Sequence, residues 1–122
     1  MNANDAWPVV EAYHRDWTSK RFDEAIELLA VDLKVEVPIN DYPTRKSFAE
    51  ALANFGSMVD HVDLLAEFAD GDEAMLLYDM TVKGMGKMRV AEHFTVKGGK
   101  IARLRQIHDT APFRAVGLAK EA

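Results

Sequence analysis

The sequence predicts an α+β domain in which three N-terminal helices pack on a curved antiparallel or mixed β-sheet, forming a cone around an apolar pocket. Three observations predict it. Apolar residues recur at helical spacing in the first half of the chain. From Val62 onward they alternate with a period of two. The breaks between these later runs are Gly- and Asp-containing segments short enough to join only antiparallel neighbours.

Asp5 stands where a carboxylate can cap a first helix, and Pro8 is tolerated in its first turn. Val10, Tyr13 and Trp17 then form one apolar face, and Thr18-Ser19-Lys20 ends it. Phe22, Ile26 and Leu29 predict a shorter second helix, with Asp23, Glu24 and Glu27 facing water. Leu33, Val35 and Val37 alternate with Lys34 and Glu36, the pattern of a strand with one buried face, which Pro38 terminates. Asn40-Asp41-Tyr42-Pro43 reads as a loop. Thr44 is placed to cap a third helix carrying Phe48, Leu52, Phe55 and Val59 on one stripe. Strands are expected at about 62–69, 74–83, 87–97 and 100–108, and the tail after Thr110 is expected to pack loosely.

Parity assigns the faces. With Gly84-Met85-Gly86 as a turn, Lys83 is expected opposite Lys87. One face then holds Ala74, Leu76, Tyr78, Met80 and Val82 against Met88, Val90, Glu92, Phe94 and Val96, and this apolar face is the one for helices to cover. In that register Tyr78 and Glu92 are direct cross-strand neighbours. For the last hairpin, a two-residue Gly98-Gly99 turn would send Arg103 and Arg105 into the core, at the cost of burying unpaired charge. A three-residue loop ending in a left-handed Gly99 instead turns Ala102, Leu104, Gln106 and His108 inward, and is the expected arrangement. It puts Gln106 diagonal to Glu92, and His108 opposite Met88, about 13 Å from Glu92 along the strand. Arg89, His93, Arg103, Arg105 and Ile107 fall on the outer face, suited to solvent or to a partner subunit.

The 122 residues suit a single domain spanning 1–122, and 48% hydrophobic residues suffice for one core. The net charge of -5, with no basic run, argues against nucleic acid as a partner. The chain has no cysteine, which excludes disulfides, thiolate metal sites and cysteine nucleophiles and fits a reducing compartment. Met-Asn-Ala-Asn-Asp has neither a basic nor an apolar signal-peptide region, and no apolar run approaches the ~20 residues of a membrane span. A soluble, cytoplasmic protein without membrane attachment is expected.

A carboxylate on an apolar wall is the most informative residue, because desolvation raises its pKa toward the range useful for general acid–base work. Glu92 is that carboxylate; the alternative is a structural glutamate tied to Tyr78 or to a helix end, or one reaching the rim. Tyr13 is either a hydrogen-bond donor at the pocket or a core residue, and His108 either a proton shuttle at the rim or a strand-end cap. His61, Asp63 and His93 do not converge with His108, so no metal site is expected. Met58, Met80, Met85 and Met88 can form an adaptable ligand wall or simply fill the core. Gly84-Met85-Gly86 lacks the strand-to-helix setting of a phosphate loop.

Ala12-Tyr13-His14-Arg15-Asp16-Trp17 through Phe22-Asp23-Glu24-Ala25-Ile26-Glu27-Leu28-Leu29, with Val35-Glu36-Val37-Pro38 and Gly99-Lys100-Ile101, resembles the nuclear-transport-factor-2-like superfamily, and its SnoaL-like branch in particular. The resemblance covers most of the chain and speaks to fold more than to chemistry. Among its members, ketosteroid isomerases imply Tyr13 as an oxyanion-hole donor and Glu92 near a buried protonated aspartate. Their catalytic base falls on Val37, which cannot serve. The aspartate of SnoaL-like polyketide cyclases falls on Gln106, whose amide takes no proton at neutral pH.

The candidate set is therefore Glu92, His108 and Tyr13 as catalytic residues, and Tyr78, Gln106, Val37, Met80 and Trp17 as ligand-binding residues, with no metal and no cofactor. Two functions are expected to compete. One is a small apolar-ligand-binding protein or lyase/isomerase-type enzyme with a pocket carboxylate. The other is a non-catalytic binding or assembly module. Families like this one commonly form homodimers through the outer sheet face, and the same is expected here.

Overall fold

Residues 5–117 are described by the computed structural model; residues 1–4 and the end of the tail, 118–122, lie outside the described residues. The first helix, α1 (Ala6–Thr18), buries Val10, Tyr13 and Trp17 as its spacing requires, together with Ala6, His14 and Asp16. Asp5 holds the N-cap position, but its side chain makes no capping bond. The Ala6 amide donates instead to the Gly71 carbonyl at 2.9 Å, so a distant turn satisfies this helix start.

The second helix, α2 (Phe22–Glu27), is shorter than its apolar spacing predicts. Leu29, expected as its last apolar residue, opens strand β1 (Leu29–Glu36) and pairs with Ile101. A non-local strand partner overrides the helical period there. Thr44 caps α3 (Arg45–Gly56) through a reciprocal pair: its Oγ1 accepts from the Ser47 amide at 3.0 Å, and Ser47 Oγ accepts from the Thr44 amide at 3.1 Å. Val59, expected on the α3 stripe, instead begins the next strand. Gly56 ends the helix against α2, where a Cβ would lie 2.5 Å from the Phe22 ring. The Lys20 ammonium donates to the Gly56 and Val59 carbonyls and pins this junction.

Strands β2 (Val59–Asp70), β3 (Glu73–Val82), β4 (Gly86–Lys97) and β5 (Lys100–His108) complete a five-stranded mixed sheet in the order β1-β5-β4-β3-β2. Neighbours are antiparallel except β1, which runs parallel to β5. Since β1 and β2 are its two edges, the sheet stays open. The helices complete the enclosure on its inner face, and the buried apolar side chains form one cluster.

The face assignment holds while two pairings differ. The β3–β4 loop is Lys83-Gly84-Met85, with Val82 opposite Gly86, not Gly84-Met85-Gly86 with Lys83 opposite Lys87. The register is shifted by two residues, and a two-residue shift leaves every side chain on its face. All ten inward residues of β3 and β4 are buried. Their neighbours change, however: Tyr78 faces Val90, and Glu92 faces Leu76.

The last hairpin is the two-residue turn, not the three-residue loop. Gly98 and Gly99 both have positive φ (58° and 78°), and Lys97 pairs with Lys100. The register shifts between Thr95, which faces Arg103, and Val96, which faces Ile101, leaving Ala102 as the extra residue of a bulge. The bulge keeps Arg103 and Arg105 out of the core, the task the longer loop was expected to perform. Ile101 is fully buried in the place expected for Ala102, while Leu104, Gln106 and His108 keep their inward orientation.

The tail is not loose where it is described. Thr110 leads into a short helix, α4 (Ala111–Ala115), which buries Phe113 to 2% exposure. The Phe113 ring packs 5.3 Å from Phe55 and 4.8 Å from His108, centroid to centroid.

Candidate functional site

Between the helices and the inner face of the sheet lies a cavity of about 380 Å³. Helix α1 contributes Tyr13 and Trp17, because both lie on the stripe that packs against the sheet. Strand parity brings Tyr78 and Met80 from β3, Val90 and Glu92 from β4, and Gln106 and His108 from β5. Val37 lines it just beyond β1, and Phe48, Leu52 and Phe55 line it from α3. All eight candidate residues named from the sequence thus share one cavity. Others went unrecognised: Ile39, Asn40 and Tyr42 in the loop after β1, Asn54 on α3, and Phe113 on α4. Apolar Ile39 and Tyr42 in an otherwise polar loop, and Phe113 after Pro112, are the signals that could have found three of them.

Glu92 is the chemical centre of the wall, at 1% exposure. Gln106, directly opposite on β5, donates from Nε2 to Glu92 Oε2 at 2.7 Å. This is a closer relation than the diagonal one expected, because the β4–β5 register differs. The Tyr78 hydroxyl also donates toward the carboxyl, diagonally across β3 and β4 rather than as a facing pair. Glu92 Oε1 is buried and has no hydrogen-bond partner among the described residues. Desolvation pushes the carboxyl up to about 7, against the opposing pull of the Gln106 and Tyr78 donors. Near neutral pH it can therefore either give or take a proton. Burial and the Glu92 charge hold the Tyr13 and Tyr78 hydroxyls protonated, their pKa values raised well above 10.

His108 faces Val90, not Met88, which brings it within two residues of the Glu92–Gln106 pair instead of the four expected. Its Nδ1 lies 3.0 Å from the Asp109 carbonyl oxygen, and its ring stacks on Phe113, so α4 fixes it at the cavity wall. Behind Tyr78 sits a second buried titratable group, His14, with ring centroids 5.1 Å from Tyr78 and 5.7 Å from Trp17. Its Nδ1 has no hydrogen-bond partner among the described residues, and burial lowers its pKa to about 4, so it stays neutral near pH 7. Among the described residues no group of three His, Asp or Glu side chains is placed to hold a metal ion. No helix among them is long and apolar enough to cross a membrane.

A family model described as SnoaL-like domain matches residues 10–104. A crystal structure of a protein from Kribbella flavida is 30% identical, with a TM-score of 0.86 over 92% of this chain and 93% of that one. An NTF2-like protein of unknown function from Cytophaga hutchinsonii superposes with a TM-score of 0.74 at 15% identity, over 87% of this chain and 91% of its own. An LEH-like epoxide hydrolase from M. tuberculosis gives 0.72 at 21% identity, over 90% of this chain and 86% of that one. At such identities the last two show the fold alone. No curated protein matches the chain.

Proposed function

The chain belongs to the SnoaL-like domain family, and from that premise we propose that its cavity takes up one small, mostly apolar organic molecule whose polar end meets Glu92. Glu92 then exchanges a proton with that end, as in a lyase- or isomerase-type reaction. The observation that carries this reading is the Glu92 carboxyl: the residue belongs to the cavity lining, and its buried Oε1 has no hydrogen-bond partner among the described residues. An orphaned buried acceptor costs about 1–3 kcal/mol, which a donor brought by a ligand would recover. Tyr13 and Tyr78 supply hydroxyl donors beside it, and His108 stands farther along the wall. No cofactor is part of this proposal, and the proposed compartment is the cytoplasm.

Titration with 2-phenylethanol, followed by NMR, tests the site. Perturbations are expected at Tyr13, Met80, Glu92 and Phe113, and not on the outer sheet face. Shifts confined to the outer face, or none at millimolar probe, would sink the reading.

A specific observation favours assembly as a second property. Ala66, Leu77, Ala91 and Ile107 form one row across four strands of the outer face, beside Phe68 and Met75. Ile107 is 76% exposed and Phe68 72%. Such a contiguous apolar row suits burial against a second copy of the chain. Sedimentation velocity is expected to show a dimer that Ile107→Lys converts to monomer; a wild-type monomer at all concentrations contradicts it.

A further inference from the structure

The proposed ligand has a polar end, and the cavity wall constrains its charge. The carboxyl is met by donors: the Gln106 amide on Oε2 and the Tyr78 hydroxyl directed at the same group. A carboxyl surrounded by donors is set up to accept, and Oε1 is the acceptor with no donor of its own. No lysine or arginine is among the described residues lining the cavity, so no permanent cation in its wall neutralises Glu92 in the ionised state or attracts an acidic ligand. Seven lining side chains are aromatic, Tyr13, Trp17, Tyr42 and Tyr78 among them, and aromatic faces favour a cation over a neutral isostere. The net charge of -5 works in the same direction at long range.

We propose that the group supplied to Glu92 Oε1 is the N–H of a protonated amine, so that the cavity selects small apolar ammonium compounds over their neutral isosteres. The proposal rests on the cavity being the ligand site and adds the chemical class of the ligand. A charge-assisted bond from the ammonium completes the carboxylate's coordination, and the aromatic walls take the apolar remainder. A neutral carbonyl compound would need the opposite state, with Glu92 protonated and donating.

2-Phenylethylamine and 2-phenylethanol are nearly isosteric, and the amine stays protonated across the useful pH range, as a lysine side chain does. Calorimetric titration near pH 8 is expected to show the amine binding about tenfold tighter than the alcohol. Because only the ionised carboxyl is competent, amine affinity is expected to fall about 30-fold between roughly pH 8 and pH 5.5, given a Glu92 pKa of about 7. The other titratable groups near the carboxyl are Tyr13, Tyr78 and His108, with His14 behind Tyr78. Glu92→Gln separates their effects: it should lose both the amine preference and its pH dependence. Equal affinities, an amine affinity that does not fall in acid, or a preference that survives Glu92→Gln would each overturn the proposal. If that variant does not fold, the same pH series on His108→Gln decides it: a fall in acid that persists there supports the proposal, and one that disappears overturns it. Alcohol binding without amine preference overturns only this inference; failure of both probes to bind removes the ligand site itself.

Discussion

Glu92→Gln is expected to stabilise the fold near pH 8 by about 3 kcal/mol, while abolishing any proton transfer in the cavity. The ordinary glutamate pKa of 4.5 stands for the unfolded chain, and burial raises the folded value to about 7. The folded state therefore holds its proton more tightly than the unfolded one. The contribution of Glu92 to stability is full below about pH 4.5 and is lost progressively as pH rises toward about 7. Above that the carboxylate is ionised and buried, at a cost that the Gln106 and Tyr78 donors offset only in part. Glutamine keeps the shape without the charge, and the Gln106 amide can turn to present its carbonyl. Urea unfolding near pH 8 and near pH 4.5 checks this: the gain appears at the higher pH and vanishes at the lower. A loss of stability near pH 8 would mean that the carboxylate is satisfied within the fold, and would remove the reason to regard it as functional.

The second large effect is a cancellation. His14 behaves in the opposite sense, because burial lowers its pKa from 6.5 to about 4. Its contribution to stability is full above about pH 6.5 and is lost as pH falls toward about 4, again some 3 kcal/mol at the limit. Between roughly pH 4.5 and 6.5 the two groups oppose one another, so these two terms together leave wild-type stability nearly level there. Glu92→Gln unmasks His14, and stability should then fall by about 3 kcal/mol on acidification through that window. His14→Phe, which retains ring packing against Trp17 and Tyr78, unmasks Glu92, and stability should then rise by a similar amount. Exposed carboxylates contribute a background common to all three proteins, so the difference between variants is the quantity to measure. Parallel pH profiles for the two variants would show that neither group is perturbed as its burial implies.

The inner face of the sheet was legible because parity is insensitive to a two-residue slip. Misplacing the β3–β4 loop changed which residue faces Glu92 but not which side of the sheet Glu92 occupies. The β4–β5 hairpin was harder. Two devices, a longer loop or a bulge at Ala102, keep Arg103 and Arg105 out of the core equally well, and charge burial alone does not choose between them. Leu29 and Val59 were assigned to helices because their apolar spacing continues the helical stripe; only their distant strand partners, Ile101 and Val82, decide otherwise. Phe113 was missed for the same reason, since a five-residue helix has no period to read and acquires its place from Phe55 and His108. The orphaned Glu92 oxygen lay beyond sequence reasoning altogether, because it depends on which donors reach which atom.

The parallel pairing of β1 with β5 also sets an order of events as the chain folds. The other three pairings join consecutive strands through short loops and can form as soon as each hairpin emerges. β1 ends at Glu36, and its sheet partner among the described residues begins at Lys100. A nascent chain therefore carries β1 and its apolar Leu29, Leu33 and Val35 without that sheet partner until β5 has been made. The cavity wall made by β1, the loop after it and α3 has its sheet partner only once β5 arrives, so docking of β1 onto β5 is expected to be a late step of folding.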